Sequence, residues 1–434
     1  MSHLTVTSVE SINNRVTVKF SCSGALKKFF RKNVFFVEYD TSIEDVPEAI
    51  LIIPFLGTVC PIAWVTKADV YVDTIDETYL HALPKVKRTL QRFYPKMSFS
   101  GEIRAKNIIK PDIQVHSKSM MLFSGGLDSK VTYLRHKNEK PILASIHGAD
   151  VPLDNHEAWN TLVESLKDFS EKTSSTLRLI RSNFLSMLNE SMLNVCYARY
   201  VPVTWYYGVA HGLALVSLCA PIAFKEKSAT FYIASSQTKD DTTPLGSNPD
   251  IDNNVEWTGT KVVHDGYELT RQDKIKVLAD YIKTTGHKVY VRSCWQSDSG
   301  DNCSRCQKCS LTMVGLVLEG INPSDCGYIV NDDTFRWIKQ NLMKGKWYIK
   351  WTPFYKWTTI QNRAKLKHDL PDSDAEELFV WLRNANLAAI REKAKKDIRF
   401  RRRLFLKFIN CLPEPLYITI QKLLLKATQN YGGI

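Results

Sequence analysis

The most constraining feature of this sequence is a short apolar segment that runs into a glycine turn and then into a helical pattern. Residues 119–123 read Ser-Met-Met-Leu-Phe, and residues 124–129 read Ser-Gly-Gly-Leu-Asp-Ser. An apolar run of this length before paired glycines predicts a buried strand followed by a tight turn. The turn opens into a helix predicted to continue to about Arg135. Such a strand–turn–helix unit is typical of a parallel sheet with helices packed against it.

The residues beyond this unit alternate between strand and helix patterns. Buried strands are predicted over 141–147, 177–181 and 229–235, and helices over 155–172 and 205–220. Alternation at these lengths is typical of parallel strands covered on both faces. The predicted fold class is therefore α/β, with a doubly wound parallel sheet.

Two further regions flank this core. Residues 5–9, 16–20 and 34–39 are rich in β-branched and aromatic residues, and residues 77–94 have helical spacing, which together predict a mostly β N-terminal lobe with a packed helix. Beyond Asn331 the chain is rich in tryptophan and lysine and then becomes helical and strongly basic.

The length of 434 residues exceeds what one hydrophobic core usually supports. We expect an N-terminal α+β accessory domain over 1–112, the α/β domain over 113–328, and a basic helical region over 329–434. The net charge of +13 is concentrated in that last region, which suggests a protein or nucleic-acid partner there. A homodimer is compatible with these features.

The glycine turn is predicted to bind an anion, because unpaired N–H groups and the positive end of the helix dipole converge there. Gly125 and Gly126 allow close approach of the backbone, and the hydroxyls of Ser124 and Ser129 can donate hydrogen bonds to phosphate. Asp128 is expected to orient the loop or to hold magnesium. The Walker pattern is absent, and a plain turn before a capped helix is the alternative.

Four cysteines are confined to sixteen residues. They are Cys294, Cys303, Cys306 and Cys309. This Cys-x8-Cys-x2-Cys-x2-Cys spacing is typical of four thiolates around one tetrahedral zinc ion with a structural role, and an iron–sulfur cluster is the alternative. The first sixteen residues lack the pattern of a secretory signal, and the apolar stretches are too short or too interrupted to span a membrane. Metal-bound thiols in such a chain indicate a reducing, cytoplasmic compartment.

The Ser-Gly-Gly-x-Asp-Ser hexamer resembles the signature of the PP-loop ATP pyrophosphatases. The cysteine cluster about 165 residues later, with Ser-Cys-Trp at 293–295 and Ser-Leu-Thr-Met at 310–313, resembles the 7-cyano-7-deazaguanine synthase family over residues 119–326. The resemblance implies a PP-loop (HUP-like) fold, with ATP, Mg²⁺ and Zn²⁺ as cofactors. Leu-Thr-Arg at 269–271 resembles that family's Leu-Thr-Lys motif, which would place Arg271 on the released pyrophosphate.

This resemblance identifies the expected site residues. Those expected to bind the nucleotide are Phe123, Ser124, Gly125, Gly126, Leu127, Asp128 and Ser129. Those expected to take part in catalysis are Ser124, Asp128, Ser129 and Arg271.

The chain departs from that family where the substrate would be recognised. Residues 145–150 read Ser-Ile-His-Gly-Ala-Asp in place of Asp-Tyr-Gly-Gln-Arg-His, and residues 200–204 read Tyr-Val-Pro-Val-Thr in place of Pro-Ala-Arg-Asn. A changed substrate is therefore expected.

The function predicted is that of an ATP-dependent ligase that forms carbon–nitrogen bonds. It would adenylate a carboxylate or amide oxygen, on a small molecule or a protein, release pyrophosphate, and transfer the activated carbon to ammonia or an amine. The alternatives are a tRNA-thiolation enzyme, an amidotransferase of surface-sugar synthesis, and an inactive nucleotide-binding scaffold.

Overall fold

The computed structural model describes residues 2–114, 116–294, 297, 299–367, 375–396, 412–413, 415–416 and 419–420. The arginine-rich segment 399–403, on which much of the predicted basic surface depends, lies outside the described residues.

Within this described part, eleven strands form a single sheet. The strands are β1 (His3–Ile12), β2 (Arg15–Cys22), β3 (Val34–Tyr39), β4 (Asp69–Asp76), β5 (Ile103–Ile109), β6 (His116–Leu122), β7 (Ile142–His147), β8 (Leu177–Ser182), β9 (Ser228–Ala234), β10 (Glu256–Trp257) and β11 (Thr260–Asp265). Their order across the sheet is β10-β11-β9-β6-β7-β8-β3-β2-β1-β4-β5. The run β11-β9-β6-β7-β8 is parallel, as is β1-β4-β5, whereas β10–β11, β8–β3, β3–β2 and β2–β1 are antiparallel.

Helices pack on the faces and ends of this sheet. The α-helices of the described chain are α1 (Glu48–Leu51), α2 (Ile53–Val65), α3 (Glu77–Phe93), α4 (Leu127–Arg135), α5 (His156–Lys172), α6 (Glu190–Tyr197), α7 (His211–Leu218), α8 (Ala220–Lys225), α9 (Pro249–Asp252), α10 (Arg271–Thr285), α11 (Gln307–Leu318), α12 (Thr334–Met343), α13 (Trp351–Leu366), α14 (Glu376–Asn384) and α15 (Leu387–Lys396). The predicted helices over 77–94 and 155–172 are confirmed as α3 and α5.

The central strands are buried on both faces. Consecutive residues of β6, Met120 and Met121, belong to two different hydrophobic clusters, and so do Phe231 and Tyr232 of β9. Because successive side chains of a strand point to opposite faces, each cluster covers one face of the sheet. The mostly parallel α/β architecture is confirmed, and it is compatible with the doubly wound arrangement. Helices α12 to α15 add residues such as Trp357 to the second cluster.

The helix predicted over 205–220 is divided into three pieces. A π-helical turn, Tyr206–Ala210, precedes α7, and α8 begins at Ala220. The second break is explained by Pro221, which has no N–H with which to continue the hydrogen bonding of α7. By length and composition the whole segment Tyr206–Lys225 could cross a membrane, but 83% of its most apolar window is buried inside the protein.

The N-terminal strands continue the sheet of the α/β core. Strand β3 pairs with β8 through Val37 and Ser182, and Tyr39 Oη donates a hydrogen bond of 2.9 Å to the carbonyl oxygen of Leu218. One hydrophobic cluster contains residues of β2, β3 and α2 together with residues of α7 and β9. The boundary at residue 112 stays a prediction, but the strands on either side of it form one continuous structure.

Candidate functional site

Two adjoining cavities lie at the carboxyl ends of β6, β7 and β9. Their volumes are about 440 and 230 Å³. Residues that line both include Ser124, Asp128, Asp150, Tyr207, Arg292 and Lys308. The carboxyl edge of a parallel sheet is where open α/β folds bind ligands. The glycine turn predicted from the sequence therefore opens into the cavity pair.

The backbone of the glycine turn adopts a conformation that would be strained for residues other than glycine. Gly125 has φ of +71°, a left-handed conformation that L side chains rarely adopt, and a Cβ there would lie 3.1 Å from Leu166 Cδ2. The carbonyl oxygen of Gly125 accepts a hydrogen bond of 3.2 Å from the backbone N–H of Arg292. Helix α4 begins two residues later. The first N–H groups of α4 have no hydrogen-bond partner within the helix. They belong to the turn at which Leu127 and Asp128 line the larger cavity.

The two predicted serines occupy different environments. Ser124 is exposed and lines both cavities. Ser129 is buried, and its hydroxyl donates a 3.1 Å hydrogen bond to the carbonyl oxygen of Gly126 inside the turn. Phe123 is buried and stacks on Phe169 with a ring-centroid separation of 4.9 Å, so it anchors the start of the turn in the hydrophobic core.

Asp128 is ion-paired within the protein. Its Oδ1 lies 3.0 Å from Nζ of Lys274, a buried residue of α10 that also donates to the carbonyl oxygen of Ser235. Burial alone would raise the pKa of Asp128, but the surrounding cations, Lys274 foremost, lower it to about 2. Asp128 is therefore ionised at neutral pH and ties the start of α4 to α10. Sequence reasoning missed Lys274, although it follows Arg271 by one helical turn.

Arg271 is the first residue of α10, a helix start fixed by the reciprocal hydrogen bonds of Thr270 and Asp273. Its Nη2 donates to Thr312 Oγ1 of α11 at 2.7 Å, and its guanidinium lines the larger cavity. The Nε atoms of Arg271 and Arg292 are both buried without a hydrogen-bond partner among the described residues. Buried donors of this kind are rare unless a ligand or water satisfies them.

Cations outnumber carboxylates at this end of the cavity. Arg271, Arg292 and Lys308 line the larger cavity together with Asp128, which pairs with Lys274. Arg292 also lies 3.9 Å from Asp150. Four positive side chains against two carboxylates, Asp128 and Asp150, leave an excess of positive charge, which attracts an anion.

The four cysteines are brought together as predicted. The Sγ atoms of Cys294, Cys303, Cys306 and Cys309 all lie within 4.8 Å of one another, and Cys306 and Cys309 are 3.4 Å apart. Four thiolates at the zinc–sulfur bond length of about 2.3 Å would be about 3.8 Å apart, so this set fits a tetrahedral metal ion. Cys306 also caps α11 by accepting a hydrogen bond from the N–H of Cys309, and a helix N-terminus favours thiolates.

The cysteine cluster is connected directly to the cavity. Arg292, whose backbone bridges to Gly126, precedes Cys294 by two residues, and Lys308 lies between the third and fourth cysteines. Asn302 Oδ1 accepts hydrogen bonds from the N–H groups of Ser293 and Cys294, which closes the loop. The segment that carries the four cysteines thus also positions two of the cavity cations. No local sequence pattern predicts this connection.

The larger cavity also has acidic and aromatic lining residues. Asp150, Glu190, Thr204, Tyr206 and Tyr207 line it, and burial raises the pKa of Glu190. Asp150 and Thr204 come from the two segments in which the sequence departs from the deazaguanine synthases. These departures therefore lie at the cavity, where Asp150 is 3.9 Å from the guanidinium of Arg292.

Comparison with protein-family models, with curated proteins and with solved structures found no match for this chain.

Proposed function

We propose that this chain is an ATP-dependent enzyme that forms an adenylate and releases pyrophosphate. The observation that carries the proposal is the excess of cations beside the start of α4, where Arg271, Arg292 and Lys308 line a cavity next to the glycine turn. A plain capped turn does not account for two buried guanidinium Nε atoms that have no hydrogen-bond partner in the described part of the chain. The reaction class is taken from the resemblance to the PP-loop motif, and the excess of positive charge at the cavity supports it.

In the proposed reaction a substrate oxygen attacks the α-phosphorus of ATP, and the bond to the β-phosphate oxygen breaks. Negative charge then develops on pyrophosphate. The N–H groups of α4, the guanidinium of Arg271 and the ammonium of Lys308 would stabilise it, because donors fixed in advance need little reorganisation. Ser124, exposed at the turn, would donate to a phosphate oxygen. Ammonia or an amine would then attack the activated carbon, and AMP would leave.

The proposed metals have separate roles. Zinc is proposed at the four cysteines, where it would hold Arg292 and Lys308 in place and would not touch substrate. Mg²⁺ would be held by Asp150, because Asp128 is already paired with Lys274. When bound, it would supply positive charge next to the phosphates.

The substrate is proposed to lie beside Thr204, Tyr206 and Tyr207 of the larger cavity. The departures at Asp150 and Thr204 support a substrate different from that of the deazaguanine synthases. The tRNA-thiolation alternative needs an accessible sulfur carrier. Cys196, Cys219 and Cys326, the cysteines of this domain outside the metal cluster, are all buried, which argues against it.

The test is to identify the nucleotide products. Full-length protein would be incubated with Mg-ATP, ammonium and a panel of carboxylates beginning with 7-carboxy-7-deazaguanine. We expect substrate-dependent AMP and pyrophosphate, strongly reduced by Ser124→Ala and Arg271→Met but not by Arg88→Met, a matched change at an exposed arginine of α3. Production of ADP and phosphate would overturn the proposal. Tight pyrophosphate binding without AMP from any substrate would favour the scaffold alternative.

A further inference from the structure

Ser247 lies in the loop between β9 and α9 and lines the smaller of the two cavities. The preceding residue, Gly246, donates its N–H to the carbonyl oxygen of Tyr207 at 2.8 Å and accepts from the N–H of Gly212 at 2.9 Å. A Cβ at residue 246 would lie 2.6 Å from the carbonyl carbon of Val209, so only glycine permits this approach. The loop is therefore fixed to the π-helical turn and to α7, and Ser247 has a defined position at the cavity wall.

The hydroxyl proton of Ser247 is already used inside the protein. Ser247 Oγ donates a 2.7 Å hydrogen bond to Oδ2 of Asp252, and the same carboxylate oxygen lies 2.7 Å from Nδ1 of His264. All three residues are buried. A carboxylate accepts hydrogen bonds and donates none, whereas a hydroxyl has one proton and two lone pairs. Ser247 can therefore offer only its lone pairs to a ligand in the cavity.

The packing around Asp252 does not by itself explain this arrangement. A Cβ at Gly212 would collide with Oδ1 of Asp252, so the carboxylate fits against α7 only because that residue is glycine. Oδ1 is nevertheless buried without a hydrogen-bond partner in the described part of the chain. An unpaired buried oxygen lowers stability. A role in fixing the direction of the Ser247 hydroxyl accounts for a carboxylate kept at this cost.

The smaller cavity has the lining expected for a flat apolar ring. Ile146, Leu162 and Ile233 contribute apolar side chains to its walls, and Ser124 and Asp128 of the glycine turn line both cavities. Ligand pockets of this kind bury apolar rings against such side chains and orient them with a few polar groups. A nucleotide can thus place its base in the smaller cavity while its phosphates remain beside the cations of the larger one.

We propose that Ser247 accepts a hydrogen bond from the 6-amino group of the adenine base of ATP, with Asp252 holding the serine as an acceptor. This inference rests on the proposed function. The 6-amino group carries the only N–H donors of the adenine ring in ATP, so it is the group that can pair with the lone pairs of Ser247. A purine with a carbonyl oxygen at that position would place lone pairs against lone pairs. Ser247 is then a specificity-determining residue, and Asp252 is its positioning residue.

The experiment is a calorimetric titration of two nucleotides into the full chain, without a carboxylate substrate. They are ATP and purine riboside triphosphate, which lacks the 6-amino group. Ser247→Ala would be compared with Ser236→Ala, which removes a hydroxyl from the wall of the same cavity. One neutral hydrogen bond corresponds to a factor of about 3 to 10 in affinity. We expect wild type and Ser236→Ala to prefer ATP by that factor, and Ser247→Ala to bind both nucleotides within about twofold.

A third nucleotide tests the orientation of the hydroxyl in the unmodified protein. Inosine triphosphate has an oxygen in place of the 6-amino group. A hydroxyl free to rotate would donate to that oxygen, and inosine triphosphate would then bind as well as ATP. A hydroxyl committed to Asp252 would be repelled by it. We expect wild type to bind inosine triphosphate more weakly than purine riboside triphosphate, and Ser247→Ala to remove this difference.

The outcomes separate the role of Ser247 from the proposed function. A preference for ATP that survives in Ser247→Ala, or its absence from wild type, would overturn the role of Ser247 while leaving nucleotide binding intact. An equal loss of affinity for all three nucleotides in Ser247→Ala would also overturn it, because a folding defect produces that pattern. Equal binding of ATP and inosine triphosphate by wild type would refute the positioning by Asp252. No detectable ATP binding by wild type would overturn the proposed function itself.

Discussion

If the four cysteines hold zinc as proposed, removal of that zinc should weaken phosphate binding at the neighbouring cavity, which Cys294 also lines. Cys294 follows Arg292 by two residues, and the backbone of Arg292 is hydrogen-bonded to Gly125 at 3.2 Å. Lys308 lies within the Cys306–Cys309 turn that starts α11. Without the metal, repulsion among four thiolates would open this segment, and both cations would lose their fixed positions.

The size of the effect follows from the contacts that would be lost. A hydrogen bond between a charged donor and a charged acceptor contributes about 1.5–3 kcal/mol. Loss of two such bonds amounts to about 3–6 kcal/mol, which corresponds to a reduction of about 10²- to 10⁴-fold in pyrophosphate affinity. We expect the lower end of this range, because Arg292 keeps its backbone hydrogen bond to the glycine turn.

The assay compares zinc-loaded, chelator-treated and zinc-restored protein by calorimetry with pyrophosphate and by thermal unfolding. Cys303→Ser, at the least buried of the four cysteines, should reproduce the loss, whereas Cys22→Ser, outside the cluster, should not. Restored zinc should restore affinity. The reasoning is refuted if metal-free protein keeps its affinity within threefold while metal analysis shows that the site has been emptied.

Two further predictions concern the glycine turn and α4. Gly125→Ala should lower the free energy of unfolding by about 1–2 kcal/mol, because the φ of Gly125 is +71°, and it should also weaken pyrophosphate binding. The control is Gly286→Ala, where φ is +69° and open space surrounds the residue, and it should lower stability alone. Thermal melting measures the stability change and calorimetry measures pyrophosphate binding. The pKa of Asp128 is lowered to about 2 in the folded protein, so its ionised form stabilises the fold above the unfolded value near 3.9, and this contribution is lost as pH falls. From pH 6 to pH 3 the advantage of wild type over Asp128→Asn in denaturant unfolding should fall by about 1 kcal/mol; a difference independent of pH would contradict this.

Local sequence patterns predicted the parts of the site that are local in the chain. The apolar run before Ser124 became β6, the glycine turn opened into α4, and the four cysteines converged. Each of these features is encoded within a few residues by side-chain type and spacing. The boundaries of α3 and α5 were predicted for the same reason.

The residues that sequence reasoning missed are brought to the site by long-range pairing. Arg292 reaches the glycine turn because its backbone bridges to Gly126, which is far away in sequence. Lys274 and Lys308 are ordinary surface-type residues in their own helices and become site residues only when those helices pack together. Nothing in a linear pattern distinguishes them from other lysines of a basic chain.

The order of the strands in the sheet also could not be predicted from the sequence. Alternation in β3 indicates which side chains face the core, but it does not identify the neighbouring strand. The pairing of β3 with β8 joined the expected N-terminal lobe to the central sheet through Val37 and Ser182.

This pairing has a consequence for how the chain folds during its synthesis. Strand β3 leaves the ribosome long before β8, because 145 residues separate Val37 from Ser182. At translation rates of about 5–20 residues per second, β3 waits roughly 7–30 s with an open edge. An unpaired edge of this kind invites aggregation or chaperone binding. The N-terminal strands and the central α/β core must therefore fold together, and the nascent chain is most vulnerable before residue 182 has emerged.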